Sequence, residues 1–358
     1  MTCRACGGTL EQVFGMAPMP LAGGFAATRA EALAATRYPL SWHWCTRCGL
    51  VNVAPDIDDA ILYKTYRYAA SQVPALVRHH QDYAAFLARE HPGKVRLLEI
   101  GSNDGVLLRE LPPEWTTIGV DPSDIESPGI RRLREPFTSD IAARLGTFDV
   151  VTSSNAFAHF TGIEDAIVGI GRVLAPGGTA YIEVHDLDAT LASGQWDTVY
   201  HEHKVEWSID SLTVAFARHG LRLAGYERLP LHGGLIRASF RKGKPLDIVP
   251  PARPDFAPLQ TAYNARRAPA LPEGAVAYGA AGRATVYLNQ LDVPVRYVVD
   301  GSRARAGRYV PGVGLRIATP AEFEADNPPA ALITAWNHAP DIRARHPQYE
   351  RWVTAWTT

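Results

Sequence analysis

The sequence predicts an α/β protein in three parts: a small cysteine-rich N-terminal unit, then two units built on mostly parallel sheets. Three observations lead there. All four cysteines fall within the first fifty residues, as Cys3-x-x-Cys6 and Cys45-x-x-Cys48. A short apolar run, Val95 to Ile100, ends in the glycine turn Gly101-Ser-Asn-Asp-Gly105 and opens a helical pattern to Leu111. The same order of strand, glycine turn and helix returns at Ala275 to Tyr278, Gly279-Ala-Ala-Gly282 and a helix reaching Leu291.

Each cysteine pair runs into glycine, Cys6-Gly7-Gly8 and Cys48-Gly49. Glycine lets the backbone amides bend toward thiolates, the knuckle geometry of a tetrahedral zinc site. Four thiolates fill the coordination sphere, so the expected zinc is a structural staple with no open position for substrate. Such a staple suits a segment of about sixty residues rich in Gly and Ala, too small to build much core alone. His43, near the second knuckle, is read as a bystander. This unit is assigned to residues 1–60.

Residues 61–243 form the second unit. Ala69 to Glu90 reads as a helix with apolar spacing at Leu76, Tyr83, Phe86 and Leu87. Strands follow at Val95 to Ile100, Thr117 to Val120, Phe148 to Thr152 and Thr179 to Val184, the last entered by the Gly177-Gly178 turn. Alternating strands and helices imply a mostly parallel sheet covered on both faces. Leu221 to Leu229 and Leu235 to Arg241 are expected to complete it. Seven prolines between Pro245 and Pro272 mark a connector holding one helix, Phe256 to Arg267. The third unit, residues 244–358, continues with strands at Val295 to Val299 and Ala331 to Ala335, then Asn337 and a closing helix.

The first glycine turn points to a nucleoside cofactor. Glu99-x-Gly101-x-x-x-Gly105 is spaced for a nucleoside amino acid and not for a pyrophosphate. Gly101 removes a Cβ where the cofactor passes close to the backbone, and Asn103 lies within the same turn. Asp121, twenty residues beyond Gly101 at the end of the next strand, can accept both ribose hydroxyls. Asn155 follows the strand after that. Together these predict a class I S-adenosylmethionine site, with a helix N-cap as the plain alternative for Asp121. Asp140 is an adenine acceptor or an ordinary surface acid. The second turn, Gly279 to Gly282 with Arg283, is read as recognising a substrate phosphate, against simple strand–helix packing.

Tyr200-His201-Glu202-His203 is the densest run of ionisable groups. It follows the fifth strand, where loops at the carboxyl edge of such a sheet face the ligand. Histidine suits proton abstraction near neutral pH, its ordinary pKa being roughly 6.5. A metal pair is the competing reading, but His-x-His on a loop lacks an evident third ligand.

With these residues in view, the chain resembles the sugar-nucleotide C-methyltransferases that build branched deoxysugars, over nearly its whole length. The matching segments are the double CxxC, Met19 to Phe25, Tyr63 to Tyr68, EIGSNDG, SSNAFAHF, YHEH, LHGG, YGAAG, GRYVPG and the late AWN. The resemblance implies a zinc-binding domain, a class I S-adenosylmethionine-methyltransferase core and a Rossmann-like C-terminal domain, with the substrate between the last two. It implies a dTDP-linked 4-keto-hexose methylated at the carbon beside the ketone. His203 would be the base, Glu202 its electrostatic partner, and Tyr200, with the region of Asn155 and His159, would orient or polarise the sugar. Oxygen or nitrogen methylation, and an inactive zinc-bearing binding protein, are the alternatives.

Bulk properties narrow the rest. A formal charge of -1 argues against a nucleic-acid partner, which needs a clustered basic surface. The three arginines between Arg303 and Arg308 read as a small anion site or a solvated loop. No apolar run approaches the roughly 20 residues of a membrane span, and the N-terminus lacks a signal-peptide pattern. The expected setting is the cytoplasm, where thiols stay reduced. The oligomeric state is left open.

Overall fold

The computed structural model describes residues 1–62 and 69–355; the Tyr63 to Tyr68 segment lies outside the described residues. The chain opens on three antiparallel strands, β1 (Leu10–Met19), β2 (Tyr38–Cys45) and β3 (Val51–Ala54). One cysteine knuckle precedes β1 and the other forms the turn between β2 and β3. Gly7 and Gly49 adopt positive φ, and their amides fold back onto the carbonyls of Cys3 and Cys45.

The central sheet contains β4 (Arg96–Ile100), β5 (Thr116–Val120), β6 (Arg132–Leu133), β7 (Phe148–Ser154) and β8 (Leu174–His185). After β8, the short strand β9 (Val205–Glu206) leaves this sheet and pairs with β3, adding a fourth strand to the N-terminal sheet. β10 (Leu221–Leu229) and β11 (Leu235–Lys242) return to complete the seven-stranded sheet in the order β10-β11-β8-β7-β4-β5-β6. Neighbours from β6 through β8 are parallel, whereas β11 runs antiparallel to both β8 and β10. Strand order reverses between β4 and β7, which opens a crevice at their carboxyl ends.

The C-terminal sheet is five-stranded and wholly parallel. Its strands are β12 (Val276–Tyr278), β13 (Val298–Val299), β14 (Ile317–Ala318), β15 (Ala331–Ile333) and β16 (Trp352–Thr354), in the order β14-β13-β12-β15-β16. The chain is thus a small four-stranded unit and two doubly wound sheets, the second a shorter version of the first.

Several elements depart from the sequence reading. The first long helix starts at Pro74, whose ring fits the first turn of a helix but not its interior. Residues Ala70–Gln72 instead form a separate 3-10 turn, because the amides of Ala70 and Ser71 donate to the Asn103 and Asp104 side chains. The Val295 strand contracts to β13. The closing helix is Ala339–Arg345, preceded by a 3-10 turn at Trp336–His338. β6, β9, β14 and β16 carry too few residues to show a period.

The units share cores. The four cysteines and Leu50 pack in one apolar cluster with Ile100, Phe157, Trp207 and Phe216 of the central unit. A second cluster joins Phe14, Met19 and Trp42 to Trp196, Val199, Leu259, Tyr263 and Tyr287. The proline-rich connector therefore contributes structure: its helix, Ala257–Ala265, wedges between the N-terminal sheet and the C-terminal unit. The Tyr263 hydroxyl donates to Gln290 Oε1 at 2.7 Å and accepts the Ala17 amide at 2.9 Å.

Candidate active site

The zinc ligands converge. The four Sγ atoms all lie within 4.8 Å of one another, with Cys3–Cys48 and Cys6–Cys45 separations of 3.5 Å, and none is in a disulfide. A zinc–sulfur bond of about 2.3 Å gives a tetrahedral edge of roughly 3.8 Å, so the cluster fits the ion with little movement. Asn52 Nδ2 donates to Cys3 Sγ at 3.7 Å, the outer contact expected of a thiolate ligand. A Cβ on Gly8 would sit 3.1–3.2 Å from the Cys45 and Cys6 sulfurs. His43 bonds to Ser41 and is not among the four clustered ligands.

The residues expected to bind the cofactor meet at the carboxyl ends of β4, β5 and β7. Gly101, Asn103, Gly105 and Asn155 all take positive φ. Gly101 is also required by a protein neighbour: its missing Cβ would fall 2.3 Å from the Cβ of Ala156. The glycine admits the Asn155–Ala156 turn, which closes the crevice on the β7 side. Asp121 Oδ2 accepts the Asn103 amide at 2.8 Å, while Oδ1 accepts the amide and hydroxyl of Ser123. Oδ2 keeps one lone pair for a ribose hydroxyl, and Oδ1 gains one when the Ser123 hydroxyl turns away. Asn155 Oδ1 is buried without a partner among the described residues, a further group left for a ligand to satisfy. Glu99 is buried on β4, and burial, then Asp121 and Asp104, hold its carboxyl well above the usual range. Arg132, not anticipated, staples this floor by donating to the carbonyls of Asn103, Ser123 and Ile125. Asp140 is exposed in the first turn of the Ser139–Leu145 helix.

Replacing Asp121 with asparagine or alanine is expected to cost S-adenosylmethionine about 2–3 kcal/mol of charge-assisted bonding. Calorimetry should therefore show affinity lowered roughly thirty- to hundredfold. Unchanged affinity would remove Asp121 from the cofactor site.

The segment after β7 links this crevice to the reactive cluster. The Val205 amide donates to Ala158 O, and His159 Nδ1 donates to the Glu202 carbonyl at 2.6 Å. The Tyr200 hydroxyl lies 2.6 Å from His203 Nε2. The ring centroids of His159 and His185 lie 5.2 and 4.8 Å from that of His203. Burial, reinforced by His185, His159 and Arg283, pushes the His203 imidazole well below its ordinary value, so it is neutral. His185, at the end of β8, is held at about 3 by burial and by Arg283.

Two expectations need correction here. Glu202 does not face the His203 ring: its Oε1 accepts the Gly23 amide at 2.7 Å, docking the Met19 to Phe25 loop. The carboxyl beside His203 is Glu206 on β9, 3.3 Å from Nδ1 and raised to about 8 by burial. Arg283 is engaged by protein groups and not displayed for a phosphate. It donates to Gln195 Oε1 and His232 O, lies 3.7 Å from Asp197 and stacks over Trp336. The Gly279–Gly282 turn serves close packing. A Cβ on Gly279 would meet Ala335 at 2.4 Å, and one on Gly282 would meet the Tyr200 ring at 2.9 Å. The C-terminal unit thereby walls the site.

His185, Glu206 and His232 were missed as individuals. His185 ends a parallel strand at the ligand edge, which was a usable signal. His232 sits in the LHGG segment at φ 55, a strained backbone for a residue bearing a Cβ. Nothing in the sequence pattern around Glu206 marked it.

Three family models match the chain: a zinc binding domain over residues 3–63, a methyltransferase domain over 69–224 and a C-methyltransferase C-terminal domain over 268–358. The C-methyltransferase NovU of Streptomyces niveus is 28% identical over 383 residues, spanning 95% of this chain and 90% of that protein. Among solved structures, the 1,6-didemethyltoxoflavin-N1-methyltransferase of Burkholderia thailandensis is 14% identical, with a TM-score of 0.39 over 55% of this chain and 95% of its own. The PH0226 protein of Pyrococcus horikoshii is 15% identical, with a TM-score of 0.40 over 50% and 97%. Fold, crevice and matched domains together define a zinc-bearing methyltransferase that uses S-adenosylmethionine. The three matched parts follow one another along the chain in the order that the resemblance implies.

Proposed function

We propose that the enzyme methylates the carbon beside the ketone of a nucleotide-linked 4-keto-deoxysugar, a dTDP-linked substrate reacting at C-3. The observation carrying this reading is the Tyr200–His203 pair: a neutral, buried imidazole bonded to a tyrosine hydroxyl, tied through His159 and Ala158 to the cofactor crevice. Moving a methyl to carbon requires a C–H bond to be broken first, and a positioned base is the group that breaks it. Bound S-adenosylmethionine supplies an electrophilic methyl group. His203 takes the proton at Nε2, Glu206 beside Nδ1 positions the ring, and the Tyr200 hydroxyl, released as Nε2 is protonated, donates to the developing oxyanion. His159, its Nδ1 hydrogen held by the Glu202 carbonyl, orients the sugar by accepting at Nε2. The domain limits that go with this reading are 1–60 for zinc, 61–243 for cofactor and base, and 244–358 for substrate.

We place the enzyme in the cytoplasm, acting on a small molecule with no nucleic-acid or membrane partner. The four free thiols support a reducing setting, and no helix among the described residues is long and apolar enough to cross a membrane. Supplying dTDP-, CDP- and GDP-linked 4-keto-sugars tests the substrate. The dTDP-linked sugar should be consumed fastest, and NMR of the product should show a methyl on carbon with the neighbouring ketone intact. A methoxy or N-methyl signal would overturn the carbon-methylation reading.

A further inference from the structure

His185, His203 and Glu206 arrive from three places: the end of β8, the turn after Tyr200, and β9. One ligand-capable atom from each lies within 4.8 Å of the other two. Glu206 is only 1% exposed, yet apart from the 3.3 Å approach of Oε1 to His203 Nδ1, which makes no hydrogen bond, neither carboxyl oxygen nor that nitrogen has a hydrogen-bond partner among the described residues. A carboxyl removed from water without a bond to either oxygen is costly, and protein interiors seldom leave one so. Arg283 is the nearby fixed cation, but Gln195, the His232 carbonyl and Asp197 already share it.

Two neutral imidazoles and a carboxyl that gives up its proton as a metal enters form a donor set that suits divalent transition metals while leaving positions open. Magnesium and calcium, which favour all-oxygen shells, fit it poorly. We propose that His185, His203 and Glu206 form a second metal site, distinct from the four-thiolate cluster, for one divalent ion of the zinc, cobalt and nickel class, and that filling it switches off the enzyme. The switching half rests on His203 being the base. A neutral imidazole has a single basic lone pair. In the base form Nδ1 carries the hydrogen, beside Glu206, and the lone pair is on Nε2. A metal on Nδ1 reverses the tautomer, so Nε2 carries the hydrogen toward Tyr200 and nothing remains to accept a substrate proton.

Cobalt(II) titration of the zinc-loaded chain tests the site. We expect one cobalt per chain beyond the zinc, with visible ligand-field bands and without the thiolate charge-transfer absorption that would mark exchange into the cysteine cluster. Glu206→Gln and His185→Gln should each weaken this binding by about tenfold or more. S-adenosylmethionine calorimetry on both variants reports whether the core remains folded. Thiolate-type cobalt alone, or wild-type cobalt affinity in both folded variants, would overturn the site. Turnover should fall in proportion to cobalt occupancy while S-adenosylmethionine affinity holds. Full turnover at full occupancy would overturn the switch and the base assignment of His203, but not the metal site. If no cobalt binds and His203→Gln is inactive, the metal site fails and the base assignment stands.

Discussion

Removing zinc from the four-thiolate cluster is expected to unfold the N-terminal unit and abolish methyl transfer, while the cofactor crevice is disturbed less. Structural zinc in small domains contributes on the order of 10–16 kcal/mol, because an assembled set of deprotonated ligands exists only in the folded state. The effect reaches the reactive cluster by a traceable route. His201 Nε2 bonds to the Pro39 carbonyl, Glu202 holds the Gly23 amide, and the Val53 amide donates to the Lys204 carbonyl. Lys204 is itself buried and paired with Asp59. The turn bearing Tyr200 and His203 is therefore clamped by the unit that zinc holds together. Protein purified without added zinc should contain near one zinc per chain. Chelation, or Cys45→Ser, should remove turnover more completely than S-adenosylmethionine binding measured by calorimetry. A zinc-free chain with full turnover would show that the cluster is dispensable.

The strongest sequence signals were those fixed by local geometry. CxxC pairs followed by glycine specify a knuckle within a few residues, and a strand ending in glycine before a helix specifies a parallel crossover. Both are complete in a short window, so Cys3 to Cys48 and Gly101 to Asp121 could be read directly. What escaped depends on residues brought together from afar. Glu202 was the carboxylate next to His203 in sequence, but adjacent residues in a turn point apart, and Glu206 reaches the ring because β9 leaves the central sheet to pair with β3. That excursion spans two residues and has no period to read. Arg283 looked like a free cation beside a glycine turn until Gln195, Asp197 and Trp336, nearly ninety and more than fifty residues away, closed around it. Gly101 has a second reason to lack a side chain that the sequence does not show, since the close approach of Ala156 is a tertiary contact.

Substituting His203 with glutamine is expected to lower turnover by about 10² to 10⁴, the usual contribution of a general base, without weakening S-adenosylmethionine binding. The substitution keeps a polar side chain of similar reach but removes the basic lone pair that now faces the Tyr200 hydroxyl at 2.6 Å. Tyr200→Phe should be milder, on the order of tenfold, the loss of roughly one hydrogen bond, because it uncovers Nε2 and leaves that lone pair intact. Proton abstraction can be separated from methyl transfer. With S-adenosylhomocysteine in place of the methyl donor, a keto-sugar deuterated beside the ketone should exchange its label with solvent in the wild-type enzyme. That exchange should persist at a reduced rate in Tyr200→Phe and stop in His203→Gln. In full turnover, the carbon-methylated product must have lost the deuterium from the carbon that gains the methyl. Product that retains the label and carries its methyl on oxygen would end the carbon-methylation mechanism. Label lost at the wild-type rate in His203→Gln would keep the reaction class and transfer the base to another group. His159 would be the next candidate, because its Nδ1 is committed to the Glu202 carbonyl and the lone pair of the neutral ring is therefore on Nε2.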